Sequence, residues 1–378
     1  MRVMLTSRDP GSPVEPVRWS AAIDRALYGP GGFYATGEGA AGHFRTSASA
    51  SASIREIFAE AVGELLDRVD SALGHPDPLD LVDVGGGSGD LLEAVLDSVG
   101  SSLAARVRPT AVELRPRPAA LSAHVAWLDA VPESTGLLIA NEWLDNVGID
   151  VVVDDRVLLV DVLGVESRGP APTAEEAAWL TRWWPSGQRR EIGLNRDAAW
   201  AGVVSRIHRG LAVAIDYTHV ALDRPMNGTL IGFRRGRETD PIPDGSSDVT
   251  AHVAIDSVAA AGEESVAAAG EESVTTAGGE SVTAAGGESV TAVGGESVAA
   301  AGQSPRVRAV ATMLVDQRAA LRALGVSGRR PDYDEDPIGY SAALQRASEA
   351  AELLDPTGLG AFQWLLQGID LDPTAILS

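Results

Sequence analysis

The stretch LVDVGGGSGDLL, residues 81–92, places a carboxylate and a run of glycines at the end of a predicted strand. Such a turn lets the backbone approach a nucleotide-like ligand. A Walker A loop needs a lysine, and this sequence has none. A dinucleotide fingerprint needs glycine where Asp90 stands, and a carboxylate there would repel a pyrophosphate. The run therefore favours a phosphate-free ligand, S-adenosylmethionine (SAM), and its members are Asp83, Gly85, Gly87 and Gly89.

Two carboxylates are placed to bind the two ends of SAM. Asp83 ends the predicted strand 79–84 and could accept hydrogen bonds near the ammonium end of the ligand. Glu113 ends the predicted strand 109–113 and could bind the ribose hydroxyls. A long helix over 88–105 would account for the interval between them. The alternative is a glycine turn that serves only the fold.

Candidate catalytic residues follow the predicted strand 136–140. They are Asn141, Glu142 and Asp145. Ligands of open α/β sheets bind at the carboxyl ends of strands. On a helical turn, Glu142 and Asp145 would share a face and could hold a guanidinium by charge-assisted hydrogen bonds. The alternative is that Asn141 and Asp145 cap a helix while Glu142 is solvated.

Strand and helix patterns alternate along residues 1–255. Further strands are predicted at 150–163, 211–216 and 229–233, and further helices at 54–73, 174–184 and 196–208. This alternation predicts an α/β fold with a mostly parallel sheet. Residues 306–325 read as an amphipathic helix, and the segment ending at 368 reads as helix, turn, helix. Residues 304–378 are thus predicted to form a helical segment that completes or caps the main domain.

An octapeptide array occupies residues 256–303. Its six copies run from DSVAAAGE to ESVAAAGQ. Eight residues do not match the helical period, and each glycine weakens a helix by about 1 kcal/mol. We therefore predict that the array is disordered and separates the first 255 residues from the last 75.

The composition limits the possible partners. The net charge is −23, which disfavours nucleic acid and favours basic partners. The chain has no cysteine, and neither a signal peptide nor an apolar membrane span is evident, so we expect a cytoplasmic protein that does not bind membranes. Metal-ligand spacing is not evident either, and the six histidines are scattered.

Several blocks resemble the MidA-type SAM-dependent methyltransferases, the bacterial and mitochondrial relatives of a complex I assembly methyltransferase. The blocks are YGPGGFYATGEGAAGHFRTS (28–47), LLIANEWLDNVGIDVV (137–152), GLAVAIDYTH (210–219), GTLIGFRR (228–235), DVTAHVAID (248–256) and LLDPTGLGAFQWLLQG (353–368). They occur in the family's order along nearly the whole chain. The family's G-D-F-x-T-[AS]-P-E block differs here, because residues 42–49 read GHFRTSAS.

The resemblance implies a Rossmann-like class I methyltransferase sheet with added helical segments and SAM as the cofactor. It also implies a protein side chain as the methyl acceptor, with arginine favoured. A small-molecule O- or N-methyltransferase remains open, as does a non-catalytic SAM-binding assembly factor.

Overall fold

The computed structural model describes residues 15–35, 52–277 and 309–378. The strands are β1 (Val17–Arg18), β2 (Leu79–Val84), β3 (Val107–Val112), β4 (Ala126–Leu128), β5 (Ser134–Asn141), β6 (Asp150–Val153), β7 (Arg156–Val160), β8 (Glu166–Arg168), β9 (Arg190–Ile192), β10 (Ile207–Asp216), β11 (Thr218–His219), β12 (Ile231–Arg234), β13 (Arg237–Thr239), β14 (Asp248–Thr250), β15 (Val253–Ala254), β16 (Val310–Asp316) and β17 (Gln363–Ile369).

The helices lie between these strands and at both ends of the chain. They are α1 (Trp19–Tyr28), α2 (Ala52–Leu73), α3 (Asp90–Ser98), α4 (Ser101–Ala104), α5 (Ala174–Trp183), α6 (Leu194–Val204), α7 (Ile255–Ala277), α8 (Gln317–Ala323), α9 (Tyr340–Leu353) and α10 (Pro373–Ile376). Within the three described ranges, no helix combines the length and the hydropathy needed to cross a membrane.

A seven-stranded sheet in the order β16-β17-β10-β5-β2-β3-β4 forms the centre of the molecule. The strands from β10 to β4 pair in parallel, whereas β17 runs antiparallel to both β10 and β16. The predicted α/β class with a mostly parallel sheet is therefore confirmed. In such a sheet, the carboxyl ends of neighbouring strands meet at one edge.

Helices cover both faces of this sheet because its central strands are apolar on both sides. In β2, Leu79 and Leu81 face a core built with α2, α3, α8 and α9, whereas Val82 and Val84 face a core built with α6 and α7. Asp83 lies between these apolar positions and is almost fully buried. The hydrophobic alternation thus places a carboxylate inside the molecule at the end of β2.

Three smaller sheets lie beside the central one, and the smallest of them is the parallel pair β11 and β15. Of the two larger ones, the first has the order β1-β7-β6-β9 with β8 paired to β7, and the second has the order β13-β12-β14. Helix α1 packs against both, through a core that includes Trp19, Phe33 and Val249. The predicted strand 150–163 is therefore wrong as a single element: Asp154 and Asp155 have φ of 48° and 56° and turn the chain into the hairpin β6–β7.

Two predicted helices at the end of the chain contain strands instead. Residues predicted as the helix 306–325 form β16 and α8, and the second helix of the final segment is β17. Apolar runs of this length suit a buried helix or a buried strand equally well, and the pairing of β17 with β10 decides the matter. The predicted helix 88–105 is also divided, because the chain is extended at Val99 and Gly100 between α3 and α4.

The first copies of the octapeptide array are helical, which differs from the predicted disorder. Helix α7 spans the first two copies and most of the third, and Val258 and Val266 are each 1% exposed. A Cβ on Gly262 would overlap the Gln367 side chain, whose Nε2 donates to the Ala259 carbonyl at 2.8 Å. Packing on the sheet thus outweighs the low helix propensity of the glycines. The array beyond residue 277 lies outside the described residues, and the predicted domain divisions stay predictions.

We expect Val258→Ala to lower the free energy of unfolding by about 2 kcal/mol, since it leaves a cavity in the core beneath α7. Val165→Ala is the control, because Val165 is 61% exposed and should change stability little. Urea unfolding of both variants measures the difference. Equal stabilities would show that the array does not dock on the sheet in solution.

Candidate functional site

Polar side chains lie where the parallel strands of the central sheet end. In spatial order, they are Glu113 after β3, Asp83 in β2, Asn141 in β5 and Asp216 in β10. The parallel pairing brings these strand ends side by side at one edge. The sheet thus gathers the predicted cofactor-binding and catalytic residues in one region.

The glycine run forms a left-handed turn between β2 and α3. Gly85, Gly87 and Gly89 have φ of 74°, 60° and 82°. A Cβ on Gly85 would lie 2.7 Å from the Trp143 ring, so packing requires that glycine. At Gly87 the nearest atom to such a Cβ is Arg115 Nη2 at 3.4 Å, which leaves space beside the loop. A ligand can therefore approach the backbone at Gly87.

The carboxylate of Glu113 lies against this loop. It accepts hydrogen bonds from the Gly87 N–H at 3.1 Å and from the Arg115 N–H at 3.0 Å. Arg115 also pairs with it through Nη2 at 3.0 Å, and the guanidinium lies 5.8 Å from the centre of the Tyr34 ring. Glu113 is thus held in place beside the glycines.

These residues fit SAM. The open side of Gly87 is a cradle that a Cβ would fill, Asp83 lies at one end of the loop, and Glu113 borders it. Asp83 would hold the ammonium end and Glu113 the ribose, while the glycines allow close approach. This assignment of individual contacts stays a prediction.

We expect SAM binding to release close to one proton from Asp83 at about pH 6. Burial, followed by the charge of Glu113, raises the pKa of Asp83 to about 7. An ammonium group beside the carboxylate would favour its ionised form and lower that pKa, so the proton leaves on binding. Calorimetry in buffers of different ionisation enthalpy counts the protons. Asp83→Asn should bind without this release, and an unchanged proton count would contradict the assignment.

The backbone at Glu142 is left-handed, with φ of 52°. Its N–H donates to the Ile215 carbonyl at 2.8 Å, and Asn141 Nδ2 donates to its carboxylate at 3.2 Å. The helical turn that follows is a single 3-10 turn over Leu144–Asn146. The predicted helical face shared by Glu142 and Asp145 is therefore not formed. Left-handed backbone at a residue other than glycine is costly and often occurs at functional sites.

The side chain of Asp145 is buried in the interior of the site. The residue is 6% exposed, and its carboxylate accepts hydrogen bonds from Thr250 Oγ1 and Asn146 Nδ2, each at 2.9 Å. Burial raises the pKa of Asp145, an effect that the nearby Arg196 guanidinium opposes. Asp145 thus bonds to neighbouring side chains through both of its carboxylate oxygens.

Asp216 and Arg196 hold the loop that follows β5. Asp216 Oδ2 accepts the backbone N–H groups of Leu144 and Asp145 at 3.1 and 3.2 Å. Arg196, on α6, donates to the carbonyls of Asp145, Val147 and His252 at 2.8, 3.0 and 2.8 Å, the last two through Nε and Nη1. Sequence reasoning missed Arg196, since no local motif surrounds it.

Tyr34 and Asp248 also lie in the site, although they come from segments distant along the chain. The Tyr34 hydroxyl donates to Asn146 Oδ1 at 3.0 Å, and its ring stacks on Tyr28 with centroids 5.5 Å apart. Asp248, on β14, is 2% exposed, and burial followed by the charge of Asp145 raises its pKa well above the ordinary range. The GPGGFY and DVTAHV blocks contain these residues, but spacing alone does not bring them to the strand ends.

His219 and His252 lie in blocks that resemble the methyltransferase family, and their environments differ. Burial and the Arg224 guanidinium lower the pKa of His219 to about 3, so its ring is uncharged. Arg224 donates to His219 Nδ1, which leaves the ring proton on Nε2. His252 is exposed and stacks on Tyr217 with ring centroids 6.0 Å apart. His43 and the divergent block 42–49 lie outside the described residues.

Comparisons with known proteins agree with the family that the sequence blocks resemble. Residues 61–271 match the profile of a family described as "Putative S-adenosyl-L-methionine-dependent methyltransferase". A COG1565 superfamily member from Burkholderia thailandensis, crystallised with S-adenosyl-homocysteine, is 22% identical, with a TM-score of 0.68 over 94% of this chain and 89% of that one. A native structure of a COG1565 superfamily protein from the same organism has a TM-score of 0.66 at 22% identity, over 95% and 90% of the two chains. None of the curated proteins matches the sequence.

Proposed function

Because this chain belongs to a family of S-adenosyl-L-methionine-dependent methyltransferases, we propose that it methylates a basic side chain of a protein, preferably arginine. The observation that carries the proposal is the cluster of buried carboxylates where β5 and β10 end. Asp145, Asp216 and Asp248 are 6%, 0% and 2% exposed. Buried carboxylates are costly unless a cation or a proton compensates them. A cationic acceptor would supply that compensation.

The buried charges of the cluster do not balance by themselves. Arg196 is the buried guanidinium beside Asp145 and Asp216, and it is 2% exposed. The pKa values of all three carboxyl groups are raised, chiefly by burial, so that their ionised forms would be favoured by a further cation bound beside them. The net charge of −23 acts in the same direction, since it attracts a basic protein segment over longer distances.

In the proposed methyl transfer, some residues of the site would bind the cofactor and others would orient the acceptor. The cofactor supplies a methyl group that its sulfonium activates. The loop at Gly87, with Asp83 and Glu113, would hold the cofactor beside β2 and β3. Glu142 and Asp145, with Asn141, would orient the acceptor at the end of β5. Alignment of the two reactants is the main contribution that the protein makes to such a reaction.

Labelling with radioactive SAM tests the acceptor class. The protein is incubated with labelled SAM and a cytoplasmic extract, the compartment in which we propose it acts. Label in protein, recovered as methylarginine after hydrolysis, supports the proposal. Label confined to small molecules would instead indicate a small-molecule methyltransferase.

Calorimetry with S-adenosylhomocysteine, performed in parallel, separates a functional cofactor site from an inactive one. Binding without any label transfer would favour a non-catalytic assembly factor. Gly87→Val is the matched control for the labelling, since it should remove the transfer that depends on this cofactor site. Label that persists in this variant would come from the extract.

A further inference from the structure

The three buried carboxylates of the site differ in how their oxygens are bonded. Asp216 accepts backbone N–H groups from Leu144, Asp145 and Tyr217. Asp145 accepts the Thr250 hydroxyl on one oxygen and the Asn146 amide on the other. Both groups therefore already bond to the protein through each of their oxygens.

Asp248 keeps one oxygen without a partner. Its Oδ1 has no hydrogen bond to any residue that the structure describes, although the residue is 2% exposed. Buried polar atoms in folded proteins are nearly always hydrogen-bonded, so an exception needs an explanation. A group that binds only during the reaction provides one.

The strand β14 directs Asp248 toward the acceptor side of the site. Side chains alternate along a strand, so Asp248 and Thr250 share one face while Val249 points into the core with Trp19. On that face, the Thr250 hydroxyl donates a hydrogen bond to Asp145 Oδ2 at 2.9 Å. Asp248 therefore lies on the side of β14 that contacts the turn after β5.

Aromatic rings lie beside the same turn after β5. Tyr28 and Tyr34 stack on each other, and the Tyr34 hydroxyl bonds to Asn146 in the turn after β5. Burial raises the pKa of both phenols, and the charges of Asp145 and Asp248 raise it further. Aromatic faces beside a carboxylate suit a planar cation such as guanidinium.

We propose that Asp248 Oδ1 binds the guanidinium of the acceptor and takes the proton that the acceptor loses on methylation. This inference rests on the proposed function and adds a catalytic residue to it. The acceptor nitrogen forms a bond to the methyl carbon as the carbon–sulfur bond breaks. Sulfur keeps the electron pair of the broken bond, and the proton moves from the nitrogen to Asp248. The products are the methylguanidinium, which keeps a single positive charge, the protonated Asp248 and S-adenosylhomocysteine.

Binding of N-butylguanidine to the full-length protein saturated with S-adenosylhomocysteine tests the cation site without turnover. We expect Asp248→Asn to weaken this binding about tenfold or more, because a charged hydrogen bond is lost. Asp240→Asn is the matched control, since Asp240 is exposed and the change removes the same charge from the preceding segment. Affinity for S-adenosylhomocysteine should stay unchanged in both variants.

If Asp248→Asn fails to fold, the proposal can still be tested on the wild-type protein with N-butylurea, the neutral counterpart of N-butylguanidine. The wild-type protein should bind the urea much more weakly than the guanidine. Equal binding of the two probes, absence of guanidine binding, or unchanged affinity in a folded Asp248→Asn would overturn the proposal. In the labelling assay, Asp248→Asn should lower the transfer rate about 100-fold or more, as expected for loss of a general base.

A failure of the proposed function gives a different result. In that case the wild-type protein transfers no label to protein, whatever its affinity for the two probes. Retained labelling with an unchanged rate in Asp248→Asn would overturn the role of Asp248 alone.

Discussion

Gly87→Val should lower the affinity for SAM about 100-fold or more while the protein stays folded. Gly87 has φ of 60°, and the nearest neighbour of a Cβ at this position would be the far end of the Arg115 side chain, at 3.4 Å. A valine would therefore extend into the space that the ligand needs instead of disrupting the core. Its branched side chain would also disfavour the left-handed backbone. Calorimetric titration with SAM measures the loss.

Gly325→Val provides the control for backbone strain. Gly325 has φ of 89° with nothing near its Cβ position, and it lies after α8, in another part of the chain. Gly325→Val should lose about as much stability as Gly87→Val but keep its affinity for SAM. If Gly87→Val binds SAM normally, the glycine turn serves only the fold and the cofactor site lies elsewhere.

Arg196→Met should lower the free energy of unfolding by about 3–5 kcal/mol at neutral pH. The guanidinium is 2% exposed, and it donates to three backbone carbonyls around the turn after β5. Its charge opposes the rise in the pKa values of Asp145 and Asp216. Methionine fills much of the volume but leaves these carboxylates without compensation.

The loss of stability should be greater at about pH 8 than at about pH 5. Without Arg196 the folded-state pKa values of Asp145 and Asp216 rise further above their unfolded values. Such groups favour the folded state when protonated and oppose it when ionised, so the cost grows as the pH rises. Urea unfolding at the two pH values measures this dependence. Arg209→Met is the control because Arg209 is exposed. Equal losses of stability in the two variants would show that the buried network around Arg196 does not stabilise the fold.

The local pattern around residues 81–92 was sufficient to predict the glycine turn. A run of alternating strands and helices defines the fold class, because parallel strands need helical connections. The candidate residues Asp83, Glu113, Asn141, Glu142 and Asp145 follow from their positions at predicted strand ends. All of them lie at the carboxyl edge of the sheet in the structure.

The tertiary structure decided the remainder, and long-range contacts are the reason. The first octapeptide copies become helical only because they pack against α6 and the sheet, where Val258 and Gly262 fit. Parts of the predicted terminal helices become β16 and β17, because β10 offers an edge to β17 and β17 offers one to β16. Tyr34, Arg196 and Asp248 are separated by up to about two hundred residues along the chain, and no spacing rule connects them. Their meeting beside Asp145 is a property of the folded molecule, since only folding brings β14, with Asp248 and Thr250, to the turn that follows β5, where the Thr250 hydroxyl donates to the Asp145 carboxylate.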